Sequence, residues 1–113
     1  MTVRFGLGKE RKAMLERELE RLVAGLKAMG AQRIILFGSL ATGDVRSTSD
    51  LDLLVVMPSE KRFMDRLEDV YETLLPQVGA DIMVYTPEEF EEMSRWSAFV
   101  QSAIKKGKVI YEA

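Results

Sequence analysis

The fold of this chain is decided by one segment, Leu36-Phe-Gly-Ser-Leu-Ala-Thr-Gly-Asp-Val-Arg-Ser-Thr-Ser-Asp-Leu-Asp-Leu-Leu-Val-Val56. An apolar run ends at a glycine-serine pair, a polar loop follows, and two aspartates separated by one residue lead into a second apolar run. Short apolar runs rich in β-formers and bounded by glycine or proline predict buried strands, here over residues 33–37 and 51–57. We interpret the turn and the aspartates as a functional site, and the other residues as its scaffold.

Asp50 and Asp52 are the first candidates for a metal site. Side chains alternate along a strand, so residues two apart project to the same face. Like charges held close repel and raise each other's pKa unless a cation lies between them. Asp81 interrupts a third predicted strand, over residues 80–85, and can reach the same face if that strand lies beside the second. Three such carboxylates can hold two Mg²⁺ ions, or Mn²⁺ in their place, for phosphoryl or nucleotidyl transfer.

Gly38 and Ser39 supply the complementary half of the predicted site. A glycine after a strand lets backbone N–H groups approach a phosphate, and a following helical turn directs its positive end at the anion. The Ser39 hydroxyl adds a donor, and Gly43 allows a sharp turn back toward Ser49. Neither a Walker loop nor a dinucleotide-binding glycine fingerprint is present in the sequence.

Each feature also has an ordinary structural explanation. Most glycine-serine pairs after strands are simple turns, an Asp-x-Asp sequence is often a solvated loop, and Asp81 alone could be an edge or cap residue. The three features occur here in one order and in a chain that offers no other chemistry. That combination favours the functional interpretation.

The composition narrows the chemistry to carboxylates. The 113 residues include no cysteine and no histidine, which excludes thiol catalysis, serine–histidine triads and zinc sites built on these residues. The net charge of −2 makes direct nucleic-acid binding an unfavoured function. No signal-like or membrane-spanning run occurs, so we expect a cytoplasmic protein without a membrane partner. The length predicts a single domain over residues 1–113.

Helical spacing of apolar residues predicts the other elements. We expect a loose lead-in over residues 1–8 and amphipathic helices over residues 9–29 and 61–75. A capping-box sequence predicts one continuous helix from Pro87 to about Lys106, before a last strand over residues 108–112. Strands separated by helices in so short a chain predict an α/β fold, with helices packed against a small mixed β-sheet.

These motifs resemble those of the DNA polymerase β-like nucleotidyltransferase superfamily, and most closely its minimal nucleotidyltransferase (MNT) branch. The residues that carry the resemblance are Gly38-Ser39, Gly43 and Ser49-Asp50-Leu51-Asp52-Leu53. The resemblance implies a polymerase β palm-like nucleotidyltransferase fold and ATP as substrate. It also implies roles for six residues: nucleotide binding by Gly38, Ser39 and Ser49, and metal binding and catalysis by Asp50, Asp52 and Asp81.

Relatives of the MNT branch commonly work with a small helical HEPN protein in a toxin–antitoxin pair. The resemblance therefore implies a HEPN-type toxin as partner, with AMP transferred from ATP to a hydroxyl group, such as that of a tyrosine, on the toxin. Larger relatives carry a helical domain for the acceptor, so a chain this short is expected to find its acceptor on another protein.

Two alternatives remain open: an antitoxin that neutralises its partner by binding alone, and transfer to a small molecule. Thr42 favours the first, because many minimal members have arginine there.

Overall fold

The computed structural model describes residues 3–113, with side chains from Gly8 onward. The elements follow in the order α1 (Val3–Ala28), β1 (Arg33–Phe37), α2 (Gly38–Thr42), β2 (Leu51–Val56), α3 (Phe63–Leu74), β3 (Ala80–Tyr85), α4 (Pro87–Trp96), α5 (Ala98–Lys106) and β4 (Lys108–Glu112). The strands form one sheet in the order β3-β2-β1-β4. Strand β1 is antiparallel to β2 and β4, whereas β2 and β3 are parallel, so the predicted mixed sheet is confirmed.

Helices cover both faces of the sheet. One face packs against α1 and α3 and forms the larger core, which includes Leu22, Leu26, Ile34, Leu53, Val55, Val70 and Val84. The opposite face packs against α4 and α5 around a smaller core, which includes Ile35, Leu54, Val56, Tyr85, Phe90, Val100 and Ala103. Both central strands alternate between these cores, which explains why they are apolar at nearly every position.

Helix α1 is longer than the sequence predicted. It begins at Val3, so the expected loose lead-in is wrong from residue 3 onward, and residues 1–2 lie outside the described part of the chain. Leu15 and Leu22 are buried as predicted, while charged residues recur along the whole helix. No helix in residues 3–113 combines the length and the apolar composition that crossing a membrane requires.

The buried carboxylate of Glu18 connects α1 to the end of α3 through hydrogen bonds. Glu18 is 6% exposed and accepts two hydrogen bonds from Arg21, at 2.7 and 2.8 Å, and one from the backbone N–H of Gln77. The Arg21 guanidinium lowers the pKa of Glu18 and also donates to the Leu74 carbonyl at 2.8 Å. Carbonyls at a helix C-terminus lack partners within the helix, so this arginine satisfies one of them. The contact fixes the connection that leads into β3.

The predicted helix over residues 87–106 is instead two helices. Helix α4 ends at Trp96, and Ser97 adopts an extended backbone with φ −81° and ψ 116°. Its hydroxyl accepts a hydrogen bond from Val100 N at 3.2 Å and so caps α5. The break lets α4 pack against β3 while α5 packs against β1. Apolar spacing continues on both sides of Ser97, which is why the sequence alone suggested one helix.

Arg66 and Glu89 form a second ion pair, in which the arginine is buried and the glutamate is half-buried. Arg66 is 5% exposed and donates to both carboxylate oxygens of Glu89, at 2.7 and 2.8 Å, and to the Val84 carbonyl at 2.8 Å. Glu89 also completes the capping box with Thr86. The hydrogen bonds from Arg66 hold the pKa of Glu89 below its usual value. This pair joins α3, β3 and α4.

We expect Glu89→Gln to lower the free energy of unfolding by about 1.5 kcal/mol at pH 7, because a buried guanidinium loses its charged acceptor while the capping geometry is kept. The lowered pKa means that the carboxylate contributes its stability above the unfolded-state value. The difference should therefore shrink in acid, as Glu89 of the wild type is protonated. Chemical denaturation at several pH values measures it.

Glu92→Gln is the matched control. Glu92 lies on the same helix and is 64% exposed, paired with Arg95 at 3.3 Å on the surface. Exposed pairs contribute at most about 1 kcal/mol, so this variant should be close to the wild type. Equal losses for the two variants would contradict a special role for Glu89.

Candidate active site

Asp52 and Asp81 lie opposite each other on the parallel strands β2 and β3. The shared register brings both side chains to the sheet face that α4 and α5 cover farther along. The pKa of Asp52 is raised to about 6, first by burial, then by the charges of Asp81 and Asp50 and by a hydrogen bond with Asp81. The predicted meeting of Asp81 with Asp52 is confirmed. Ionisation of Asp52 beside Asp81 at neutral pH therefore costs free energy.

Asp50 precedes β2 and faces a different neighbour. Its carboxylate is 53% exposed and lies 3.5 Å from Arg11 Nη2 of helix α1. Arg11 Nε donates to the Ser49 carbonyl at 2.7 Å, so one arginine holds the two residues that lead into the strand. Arg11 could not be predicted from the sequence, because nothing there distinguishes it from the other cations on the polar face of α1.

The carboxylates of Asp52 and Asp50 occupy space that is available only because Gly38 and Gly79 have no side chains. A methyl group on Gly38 would overlap Asp52 Oδ2, and one on Gly79 would overlap Asp50 Oδ1. Gly38 also has φ +76°, a conformation that is strained for any residue with a side chain. The glycine predicted to approach phosphate therefore also allows α2 to begin directly beside Asp52. The close approach of Gly79 to Asp50 became visible only in the fold.

The remaining predicted nucleotide-binding residues lie in the turn and loop between β1 and β2. Ser39 is in the first turn of α2, where backbone N–H groups have no acceptor within the helix. Its carbonyl accepts hydrogen bonds from Gly43 N at 2.9 Å and from the Thr42 hydroxyl at 3.3 Å. Ser49 accepts a hydrogen bond from Arg46 N at 2.8 Å and so closes the loop. Contact of these residues with a nucleotide stays a prediction.

The residues present fit a divalent cation. Carboxylate oxygens are the preferred ligands of Mg²⁺, and a cation would offset both the burial and the repulsion that raise the pKa of Asp52. Within residues 8–113, no group of three or more acidic side chains already surrounds a single point. The Asp50 carboxylate is paired with Arg11, so Asp52 and Asp81 are the carboxylates best placed to bind a cation.

This chain is similar to known proteins in sequence and in fold. A family model described as a nucleotidyltransferase domain matches residues 14–111. A protein of Methanocaldococcus jannaschii, provisionally named a protein adenylyltransferase, is 33% identical over 101 residues, which cover 85% of this chain and 97% of that protein. The crystal structure of a provisionally named nucleotidyltransferase from Sulfolobus solfataricus superposes with a TM-score of 0.68 at 20% identity, over 94% of this chain and 87% of that one. The predicted nucleotidyltransferase fold is confirmed.

The raised pKa of Asp52 predicts how Asp52→Asn changes stability. A carboxyl whose folded-state pKa is raised stabilises the fold when protonated, and that stability is lost as the pH rises through about 6. Without divalent cations, Asp52→Asn should therefore be more stable than the wild type above pH 6, by about 1–2 kcal/mol after allowing for solvent screening. The difference should vanish near pH 4.

Denaturation in EDTA at pH 4, 6 and 8 measures this difference. Asp44→Asn is the control, because Asp44 is an exposed loop carboxylate. A wild type that is more stable than Asp52→Asn at pH 8 would contradict the repulsion between Asp52 and Asp81.

Proposed function

Because the chain belongs to the nucleotidyltransferase domain family, we propose that it is an enzyme of that class that transfers AMP from ATP to a hydroxyl group of a partner protein, with Mg²⁺ as cofactor. The observation that carries the proposal is the Asp52–Asp81 pair, placed directly beside Gly38 at the start of α2. A pair of carboxylates next to a phosphate-binding turn is the arrangement that nucleotidyl transfer requires. The relative provisionally named a protein adenylyltransferase supports AMP as the transferred group.

The three aspartates and the α2 turn divide the binding of Mg–ATP between them. The first-turn N–H groups of Gly38 and Ser39, which have no acceptor within the helix, would donate to the triphosphate, with the positive end of the turn toward the anion. Asp50, Asp52 and Asp81 would hold Mg²⁺, or Mn²⁺ in its place. When bound, the cation neutralises charge on the triphosphate and favours ionisation of the acceptor hydroxyl.

The transfer is a displacement at the α-phosphorus. The acceptor oxygen forms a bond to this phosphorus, the bond from it to the bridging oxygen of the β-phosphate breaks, and pyrophosphate leaves. The hydroxyl proton passes to Asp81, which is the more exposed member of the carboxylate pair. The acceptor reaches the site from solvent, because Asp50 and Asp81 are both exposed.

We propose a HEPN-type toxin as partner and a tyrosine as the acceptor, which would make the chain an antitoxin. The support is the MNT-like motif, together with the relative from Methanocaldococcus jannaschii. That relative is matched over 97% of its own length, so a protein given an adenylyltransferase name contains little beyond this domain. The small size of that relative is consistent with an acceptor hydroxyl that belongs to a separate protein.

A second function, neutralisation of the partner by binding alone, is favoured by Thr42. Its side chain turns back to the Ser39 carbonyl, so α2 ends without the cation that many minimal members place there. A binding antitoxin predicts that the double variant Asp50→Ala, Asp52→Ala still protects cells from the partner and still co-purifies with it. Loss of protection with retained co-purification would exclude this second function.

Transfer itself is tested with α-labelled ATP, MgCl₂ and the protein encoded beside this one. The wild type should label the partner, and EDTA or Asp52→Ala should abolish labelling. Asp44→Ala, which removes an exposed loop carboxylate, should label normally. An unlabelled partner, or labelling that survives Asp52→Ala, would overturn the proposed function. Mapping the label to a residue other than tyrosine would overturn only the acceptor.

Gly38→Ala and Gly43→Ala form a matched pair that separates backbone strain from the site. Both glycines have positive φ, +76° and +87°, so both variants should lose about 1 kcal/mol of stability. A methyl group on Gly38 displaces Asp52, whereas one on Gly43 meets nothing within 4 Å. Transfer should fall by about 100-fold in Gly38→Ala alone, because small displacements of reacting groups are costly. Equal activities would contradict the placement of Asp52.

A further inference from the structure

We propose that the nucleobase of ATP binds in a cavity between α5 and the start of α2, stacked on the ring of Phe99. The inference rests on the proposed function. The cavity has a volume of about 240 Å³ and is lined by Phe37, Gly38, Thr42, Phe99, Ser102 and Lys106, among others. No predicted site residue other than Gly38 belongs to it, and neither the motif nor the mechanism assigns it a ligand.

The position of the cavity connects it to the carboxylates. Gly38 lines the cavity, and a Cβ on the same residue would overlap Asp52 Oδ2. Phe37 pairs with Asp52 across β1 and β2, so both residues lie at the same end of the sheet. Helix α5 covers the adjacent part of this face with Val100 and Ala103. A ligand whose phosphates lie at Gly38 therefore has its next groups within reach of the cavity.

The size of the cavity selects one part of the nucleotide. Sites that enclose whole drug-sized ligands have volumes of about 300–1,000 Å³. At about 240 Å³ the cavity is too small for ATP as a whole, but it is suited to a single heterocycle. The triphosphate then remains outside, at the start of α2 and beside the carboxylates.

The lining has the chemistry of a base-stacking site. Phe99 is 40% exposed, although it is a large aromatic residue. Its ring contacts Phe37 edge to face, with centroids 5.3 Å apart and planes at 84°, so its orientation is fixed before a ligand binds. Lys106 places a cation on the lining, and no acidic residue belongs to it. An apolar cavity lined by the rings of Phe37 and Phe99 and by one cation matches the base and the charge of a nucleoside triphosphate.

The test compares the binding of Mg–ATP and of inorganic tripolyphosphate by titration calorimetry, in MgCl₂. Phe99→Ala should raise the Kd for ATP about tenfold, because stacking of a base on an aromatic ring contributes about 1–3 kcal/mol. The Kd for tripolyphosphate should not change. Phe99→Leu keeps apolar packing against Phe37 but removes the aromatic face, so it should also lower the affinity for ATP. This variant tests the proposal if the alanine variant unfolds.

Ile104→Ala is the matched control. Ile104 is 45% exposed on the same helix and does not line the cavity, so both affinities should equal those of the wild type. Phe99 variants that bind ATP as tightly as the wild type would overturn the base site and leave the proposed function intact. The same conclusion follows if the Phe99 variants lose affinity for ATP and for tripolyphosphate equally, or if they change only the KM for the acceptor. A wild type that binds neither ligand would overturn both proposals.

Discussion

The repulsion between Asp52 and Asp81 is the constraint on which the rest of the site depends. Burial makes the largest contribution to the free energy cost of charging Asp52, and the parallel pairing of β2 and β3 adds to this cost by placing Asp81 opposite it. A fold selected for stability alone would not keep such a pair. The strands tolerate it because most of their remaining residues are buried in two cores, one on each face of the sheet.

Arginines that satisfy backbone carbonyls hold the segments around this pair. Arg21 fixes the end of α3, Arg66 joins α3 and β3 to α4, and Arg11 holds the residues that lead into β2. Two of the three also bind a buried or half-buried glutamate, which lowers the pKa of that glutamate. The buried charges of the scaffold are therefore paired with charges of opposite sign. Among the side chains that the structure describes, the carboxylate of Asp52 has no such partner, so a cation could bind there.

The sequence predicted most of the sheet because the relevant signals are local. The bounds of β1, β3 and β4 were predicted to the residue, and β2 ends one residue earlier than expected. Alternation along a strand was sufficient to bring Asp81 to Asp52, once the strands were taken as neighbours. The break at Ser97 was missed, since a serine within a helical pattern is common and its role as a cap depends on how α5 packs. Arg11 was missed for a similar reason, because its partner is 38 residues away.

The break at Ser97 and the glycine at position 38 together shape the end of the sheet that carries Asp52. A continuous helix could not pack against β3 and then β1, whereas two capped helices cover the far end of the face and leave the end with Asp52 accessible. Gly38 then permits α2 to begin beside Asp52 while exposing its own backbone to the cavity under α5. Because Gly38 has no side chain, the carboxylates and the cavity meet at one point of the backbone. A substrate that is charged at one end and aromatic at the other matches that geometry.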